Sequence, residues 1–384
     1  MTQTPTGTGS LENIANKVAL PGKSGIDYRA ERWAARGFLW EETSLKRVRS
    51  CGRWAVTASG EVQVRANGQA VGYAGLATCG SIWACPVCNA RVQAVRRLEV
   101  GLAITTVQSS GGSAAFGAYT LRHHKGQRLE ELWEALSYCW KSVTRDKSVK
   151  NTRKRLGYIG TIRAAECTHG CHGWHPHLHP VHLFERQLTA EEVKELEAVE
   201  FRAWASAAAR KGLEAPNILA QDLHLVIGSA GEVLGDYFTK TTYQPSAESV
   251  GYEMTSTQTK TRTRAKDSRT PWDILTDLRT WGLADDLELW QEWEKASKGK
   301  RALTWSRGLR ARLDLDTEAT DEEIASAEVG SAVDTGFVIT DWTPIRINPR
   351  LGAELLAHIG TGKNWQAGRR FCTTNGIPIR ENTP

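Results

Sequence analysis

Three imidazoles at every second position, His175, His177 and His179 in the run Gly173-Trp174-His175-Pro176-His177-Leu178-His179, are the side chains best spaced to do chemistry. In an extended strand, residues i, i+2 and i+4 leave the same face, so the three rings can converge while Trp174, Pro176 and Leu178 turn away. Such a row is the start of a metal site. An imidazole pair needs at least one further donor to hold a divalent ion, and a carboxylate shifts the preference toward Mg²⁺ or Mn²⁺. Glu166 ends the neighbouring strand of a hairpin and can lie across from His177 and His179, with His175 competing for the same role.

Further on, Tyr237 and Lys240 in Gly235-Asp236-Tyr237-Phe238-Thr239-Lys240 stand at i and i+3 and share one face of a helix. A phenol can attack phosphorus and form a covalent phosphotyrosine. Its unperturbed pKa of ~10 must come down, and the Lys240 ammonium can stabilise the phenolate and the charge of the transition state. A cation holding a nonbridging phosphate oxygen would supply the Lewis acid. Together these groups point to phosphodiester cleavage, with Tyr243 and Tyr252 as weaker competitors for the nucleophile.

Four of the eight cysteines, Cys51, Cys79, Cys85 and Cys88, gather early, the last two in Cys85-Pro86-Val87-Cys88. A CPxC turn with two more thiols makes a tetrahedral set suited to structural Zn²⁺. Residues 1–10 are Thr/Gly-rich with neither a basic start nor an apolar core, so they read as a disordered segment and not as a signal or anchor. The chain is therefore expected in the cytoplasm with reduced cysteines. The charge-free run 100–121 is interrupted by Gln108-Ser109-Ser110-Gly111-Gly112-Ser113, which fits a helix end, a turn and a strand better than a membrane span. The net charge of +6 is uneven. A basic block over 141–155, read as a loop, presents Arg153, Lys154 and Arg155 to a phosphate backbone; a second spans 260–269, and the sign reverses over 314–328.

The elements that position these groups follow from periodicity. Helices are expected over 90–104 and 129–143, strands over 114–121, 156–166, 175–184 and 219–228, and a helix bearing Tyr237 over 231–241. Thr189 and Glu192 form a capping box opening a helix that runs to about Gly212. That order describes an α+β fold, a central antiparallel sheet flanked by helices. Beyond Pro271, Trp272, Trp281, Trp290 and Trp293 read as helical core residues; 314–328 as a linker or a surface helix starting near Thr320; and 349–359 as a helix.

The histidine run, Tyr237-x-x-Lys240 and Cys79-Gly-Ser-Ile-Trp-Ala-Cys85-Pro-Val-Cys88 resemble the plasmid rolling-circle replication initiators, the Rep proteins of the HUH endonuclease superfamily. The resemblance runs from about Cys51 to Trp305 and takes in Tyr119-Thr120-Leu121 as the family's first motif, Glu166, and Glu253-Met254-Thr255 with Lys260. It implies an HUH-endonuclease-like domain over 99–300, between a flexible segment 1–40 with a zinc-binding element 41–98 and a mostly helical C-terminal region 301–384 of unassigned role. It also implies that His177 and His179 are the HUH pair, and that Tyr237 nicks one strand at a plasmid origin, stays on the 5′ end and frees a 3′ hydroxyl primer. Partners would be origin DNA, single- and double-stranded, with a host helicase and polymerase, and no membrane. Asp236 and Glu232 are candidate carboxylates for termination. Pro180 and His182 depart from the family pattern. Pro176 and Pro180 each remove a ladder donor, so the strand is expected to be irregular or at an edge, with the third ligand open between Glu166, His175 and His182. The rival readings are a zinc-stabilised DNA-binding protein, which leaves Tyr237 and Lys240 unexplained, and a metallohydrolase of small phosphoesters.

Overall fold

A computed structural model describes residues 28–67, 70–218, 221–227, 268–327 and 334–381. Tyr237 and Lys240 lie outside the described residues, as do Glu232, Asp236, Tyr243, Tyr252, Glu253-Met254-Thr255 and the basic residues 260–266. The described strands, in chain order, are β1 Val62–Asn67, β2 Ala70–Ala74, β3 Ser113–Thr120, β4 Tyr158–Gly170, β5 Gly173–Phe184, β6 Asp222–Leu225, β7 Leu303–Trp305, β8 Asp334–Ile339 and β9 Ile379–Arg380. They form two sheets, one in each of two units: residues 96–318, and residues up to 95 together with 319 onward. Among the described residues no helix is long and apolar enough to cross a membrane.

The larger unit is built on an antiparallel sheet of order β6-β3-β5-β4-β7. One face packs Phe116, Ile162, Val181 and Leu183 against Val100 and Ile104 of the helix Pro86–Ser109. The opposite face packs Ala115, Phe184 and Leu223 with Val193 and Leu196 of the helix Ala190–Arg210. Covering both faces explains why β3 and β5 read as nearly unbroken apolar runs interrupted only by their chemistry. The capping box is present: the Thr189 hydroxyl accepts from the Glu192 amide at 3.3 Å while the Glu192 carboxylate accepts from the Thr189 amide at 3.0 Å.

Three expectations change here. The basic block is helical, not a loop: the helix Leu129–Arg145 runs into it, and Asp146 caps a second helix, Lys147–Arg155, by accepting from the Val149 amide at 3.0 Å. Trp272, Trp290 and Trp293 are buried, but Trp281 ends its helix 70% exposed. The histidine strand β5 is the centre of the sheet and no edge. Its irregularity is confined to the β3 side, where pairing runs from Phe116↔Val181 straight to Tyr119↔Leu178 and skips His179 and Pro180.

In the other unit the sheet order is β2-β1-β8-β9. The helices Tyr28–Glu42 and Arg350–Ile359 cover it, burying Trp33, Val62, Val64, Phe337 and Leu356 in one core. Because β1 pairs with β8, with a register shift at Val64/Arg65, the Cys-rich segment and the C-terminal segment supply strands to the same sheet. The acidic stretch includes the short helix Asp321–Ser326, capped by Thr320.

Candidate metal centre

The hairpin β4–β5 has Glu166 directly opposite His177 and Ala164 opposite His179, so the carboxylate and both imidazoles leave one face of the sheet. His177 Nε2 lies 3.2 Å and His179 Nε2 3.5 Å from the same oxygen, Glu166 Oε2. All three side chains are buried, and one donor atom from each lies within 4.8 Å of the others. The far side of each ring faces a backbone carbonyl: His177 Nδ1 lies 3.1 Å from the His175 carbonyl and His179 Nδ1 3.3 Å from that of Gly117. A carbonyl can only accept, so each Nδ1 carries a hydrogen, and Nε2 is the ring atom that each histidine turns toward the carboxylate. His179 Nε2 is buried with no hydrogen-bond partner. Two imidazole nitrogens and a carboxylate oxygen converging on one another, with the ring orientations fixed from behind, form a group that could hold a metal ion.

Pro180 explains part of that support. Ala114 sends its carbonyl to Val226 beyond β6, so alternate residues of β3, Gly117 among them, direct theirs toward β5. Opposite Gly117 the register places Pro180, which has no N–H to give. The His179 ring supplies the missing donor. Phe116 then stacks on His179 with ring centroids 5.4 Å apart and planes 8° from parallel, closing off the imidazole's flank.

His175 shares this face but turns away. Its Nδ1 lies 3.3 Å from His123 Nδ1, and burial together with the neighbouring His177, His123 and His179 rings pushes its pKa down to about 3. Of the three candidates for the third ligand, Glu166 alone joins the pair. His182 leaves the opposite face, where its Nδ1 meets the Thr161 hydroxyl at 2.7 Å and its Nε2 lies 3.2 Å from Glu200.

Glu200 anchors a polar cluster behind the metal face. It accepts from the Tyr119 hydroxyl and, at 2.7 Å, from Arg153 Nε, and the Arg153 guanidinium sits 4.9 Å over the Tyr158 ring. Burial works to raise the Glu200 pKa, but Arg153, His182 and Tyr119 outweigh it and hold the carboxyl far below the usual range. Arg153, expected to be presented to a phosphate backbone, is instead 5% exposed and committed to Glu200. Lys154 is exposed, and Arg155 is an exposed partner of Glu195. The sequence reading overlooked Glu200, although a signal existed: it falls at i+7 from Val193 and i+4 from Leu196, on the helix's apolar stripe.

In the other unit, Cys51, Cys79, Cys85 and Cys88 meet as a second buried donor group. Cys88 Sγ lies 3.6 Å from both Cys51 and Cys79, and Cys85 Sγ lies 3.8 Å from Cys51. A tetrahedral zinc with Zn–S of about 2.3 Å requires sulfur–sulfur edges of roughly 3.8 Å, so the spacing fits such an ion. The Ser81 amide donates to Cys79 Sγ at 3.4 Å, and hydrogen bonds from Cys79, Cys85 and Cys88 hold the Cys51 thiol well below its ordinary pKa. The irregular sequence separation resolves in space: Cys51 follows the helix Lys46–Ser50, Cys79 follows β2, and Cys85 and Cys88 flank the start of the helix Pro86–Ser109.

The chain is 29% identical over 332 residues to a protein named "Protein rep" from Streptomyces lividans, a match covering 70% of this chain and 71% of that one. It is 35% identical over 134 residues to a "Neomycin resistance protein" from Streptomyces cyanogenus, covering 28% of this chain and 31% of that relative. No family model and no solved structure matches.

Proposed function

We propose that this chain is a rolling-circle replication initiator of the HUH endonuclease type, which nicks one strand of a plasmid origin through Tyr237. The observation that carries the reading is the buried trio Glu166, His177 and His179, whose two Nε2 atoms converge on one carboxylate oxygen. The similarity to "Protein rep" over most of both chains supports it. The partner is origin DNA, entered as single strand at the nick and bound as duplex around it, and the work of extension falls to a host helicase and polymerase in the cytoplasm.

In this reading Glu166, His177 and His179 would hold Mg²⁺ or Mn²⁺, which would supply Lewis acidity toward the scissile phosphate. His175 stays neutral beside them and shapes the approach. The Tyr237 oxygen attacks phosphorus, the bond to the 3′ oxygen breaks, and that oxygen leaves as the free primer hydroxyl after taking a proton. Lys240 stabilises the phenolate and the transition-state charge. The new phosphotyrosine conserves the phosphodiester energy for attack by a 3′ hydroxyl, which releases the tyrosine; at termination Asp236 or Glu232 would activate a water that cleaves the regenerated origin and frees that hydroxyl. Cys51, Cys79, Cys85 and Cys88 hold a structural Zn²⁺, and Lys154 and Arg155 contribute to backbone binding.

The test is a covalent adduct. Incubated with single-stranded origin oligonucleotides and Mn²⁺, the protein should shift to a heavier band in denaturing gels, and Tyr237→Phe should abolish that shift. Sequence-specific duplex binding with no adduct, across several origins and metals, would instead identify a zinc-stabilised DNA-binding protein.

A further inference from the structure

Arg36, on the helix Tyr28–Glu42, is a buried cation that the nicking reading does not use. It is 4% exposed, and its guanidinium lies 4.0 Å over the Trp33 ring. On its other side is Gly52, at φ +64, where even a methyl group would collide with the guanidinium. Arg36 Nε and Nη2 are buried without a hydrogen-bond partner, and no carboxylate pairs with Arg36 among the described residues. A guanidinium cannot shed its proton, so a fold that buries one must place negative charge nearby. The residue after which Gly52 follows is Cys51, one of the four gathered thiols.

We propose that Arg36 is the fixed counter-ion of a four-thiolate zinc centre, held beside Cys51 between the Trp33 ring and the bare face of Gly52. The proposal rests on the four cysteines holding zinc. Four thiolates around Zn²⁺ leave a net charge of −2, and burying that charge needs a compensating cation as much as the cation needs an anion. Gly52 follows from the same requirement, since any side chain there would push the guanidinium out of its slot. Arg36 is thus a positioning and charge-balancing residue, one shell beyond the ligands.

The test compares two substitutions in the full-length protein. Arg36→Met keeps much of the length and apolar stem without the charge, whereas Arg36→Lys keeps the charge without the planar group that stacks on Trp33. Zinc per chain is measured on purified protein, followed by the rate of transfer to a colorimetric chelator. Cobalt substitution then reports through thiolate-to-metal absorption whether all four ligands remain. Arg36→Met should release zinc about 10- to 100-fold faster while its cobalt form keeps the four-thiolate spectrum, and Arg36→Lys should release it close to the wild-type rate. The reverse order, Met normal and Lys fast, would mean that Arg36 serves packing alone and would overturn the proposal. If Arg36→Met does not fold, Arg36→Lys decides: wild-type retention supports the counter-ion and rapid loss refutes it. Wild-type protein purified without zinc would refute both the four-cysteine reading and this one, whereas zinc held equally well by all three proteins would refute only the counter-ion.

Discussion

Replacing Arg153 by Met should unfold the larger unit more easily while leaving the exposed surface charge almost unchanged. Glu200 is fully buried and Arg153 nearly so, with the Nε–Oε1 contact at 2.7 Å. Removing one partner of a buried pair typically costs about 3–5 kcal/mol, because the other charge stays behind without compensation. His182 Nε2 remains 3.2 Å from Glu200 and can take up a proton, which places the expected loss at the lower end, about 3 kcal/mol. Against a total stability of about 5–15 kcal/mol for a domain, that is a large shift of the urea midpoint. Lys154→Met is the control: the residue is exposed, so its stability effect should stay within about 0.5 kcal/mol while duplex affinity falls and the salt slope loses about 0.9. Urea unfolding followed by tryptophan fluorescence reads the first quantity, since Trp140 and Trp204 flank Tyr119 in this layer.

The pH dependence gives the same argument an independent sign. In the native protein the Glu200 carboxyl is depressed, so its stabilisation is present above the unfolded carboxylate pKa and is lost as pH falls toward the folded value. In Arg153→Met, burial acts on Glu200 without its main cation, and the folded state binds a proton more readily than the unfolded one. Stability should then fall as pH rises from about 5 to 8, opposite to the slope of the parent at acid pH. An Arg153→Met protein that unfolds at the wild-type urea concentration yet loses DNA binding would refute the buried pair and restore Arg153 to the DNA surface.

His177→Ala and His179→Ala should each abolish the covalent adduct while keeping most duplex binding, measured by gel shift; normal nicking by either variant would refute the metal assignment. Glu166→Gln keeps the shape but removes the donor set's single negative charge, so adduct formation should need far more Mn²⁺, and an unchanged metal titration would exclude Glu166 as ligand. Cys88→Ser should lose the zinc, about one ion per chain in the parent, and lower the thermal transition of the unit that contains it, with little effect on adduct formation by whatever fraction stays folded. Thr189→Ala should cost about 1 kcal/mol by leaving the Glu192 amide without its cap.

What could be read from the sequence was local, and what could not was set by partners far along the chain. The period of two in β5 and the hairpin from Gly170 to Gly173 together fix Glu166 opposite His177, and the capping box at Thr189 needs only four residues. Arg153 shows the other case. Nothing in its own neighbourhood distinguishes it from Lys154 and Arg155, because its burial is decided by Glu200, 47 residues away. The inward spacing of Glu200 on its helix was the available clue. The role of the C-terminal segment was likewise hidden, since no local pattern announces that Asp334–Ile339 will pair with Val62–Asn67.

His182 is the instructive intermediate. It lies three residues past His179, an odd step, and in a regular strand an odd step sends the side chain to the opposite face. What kept it open as a ligand was Pro180, because a bulge there would have inserted a residue and inverted the parity. The pairing with β4 runs Thr161↔His182, Ile162↔Val181, Arg163↔Pro180 and Ala164↔His179 without a break, so the parity survives. Pro180 disturbs only the β3 side, where His179 makes good the missing donor. The odd step in an unbroken register therefore separates the two histidines by face. His179 is fixed by Gly117 toward Glu166, and His182 is left to the buried carboxylate on the reverse of the sheet.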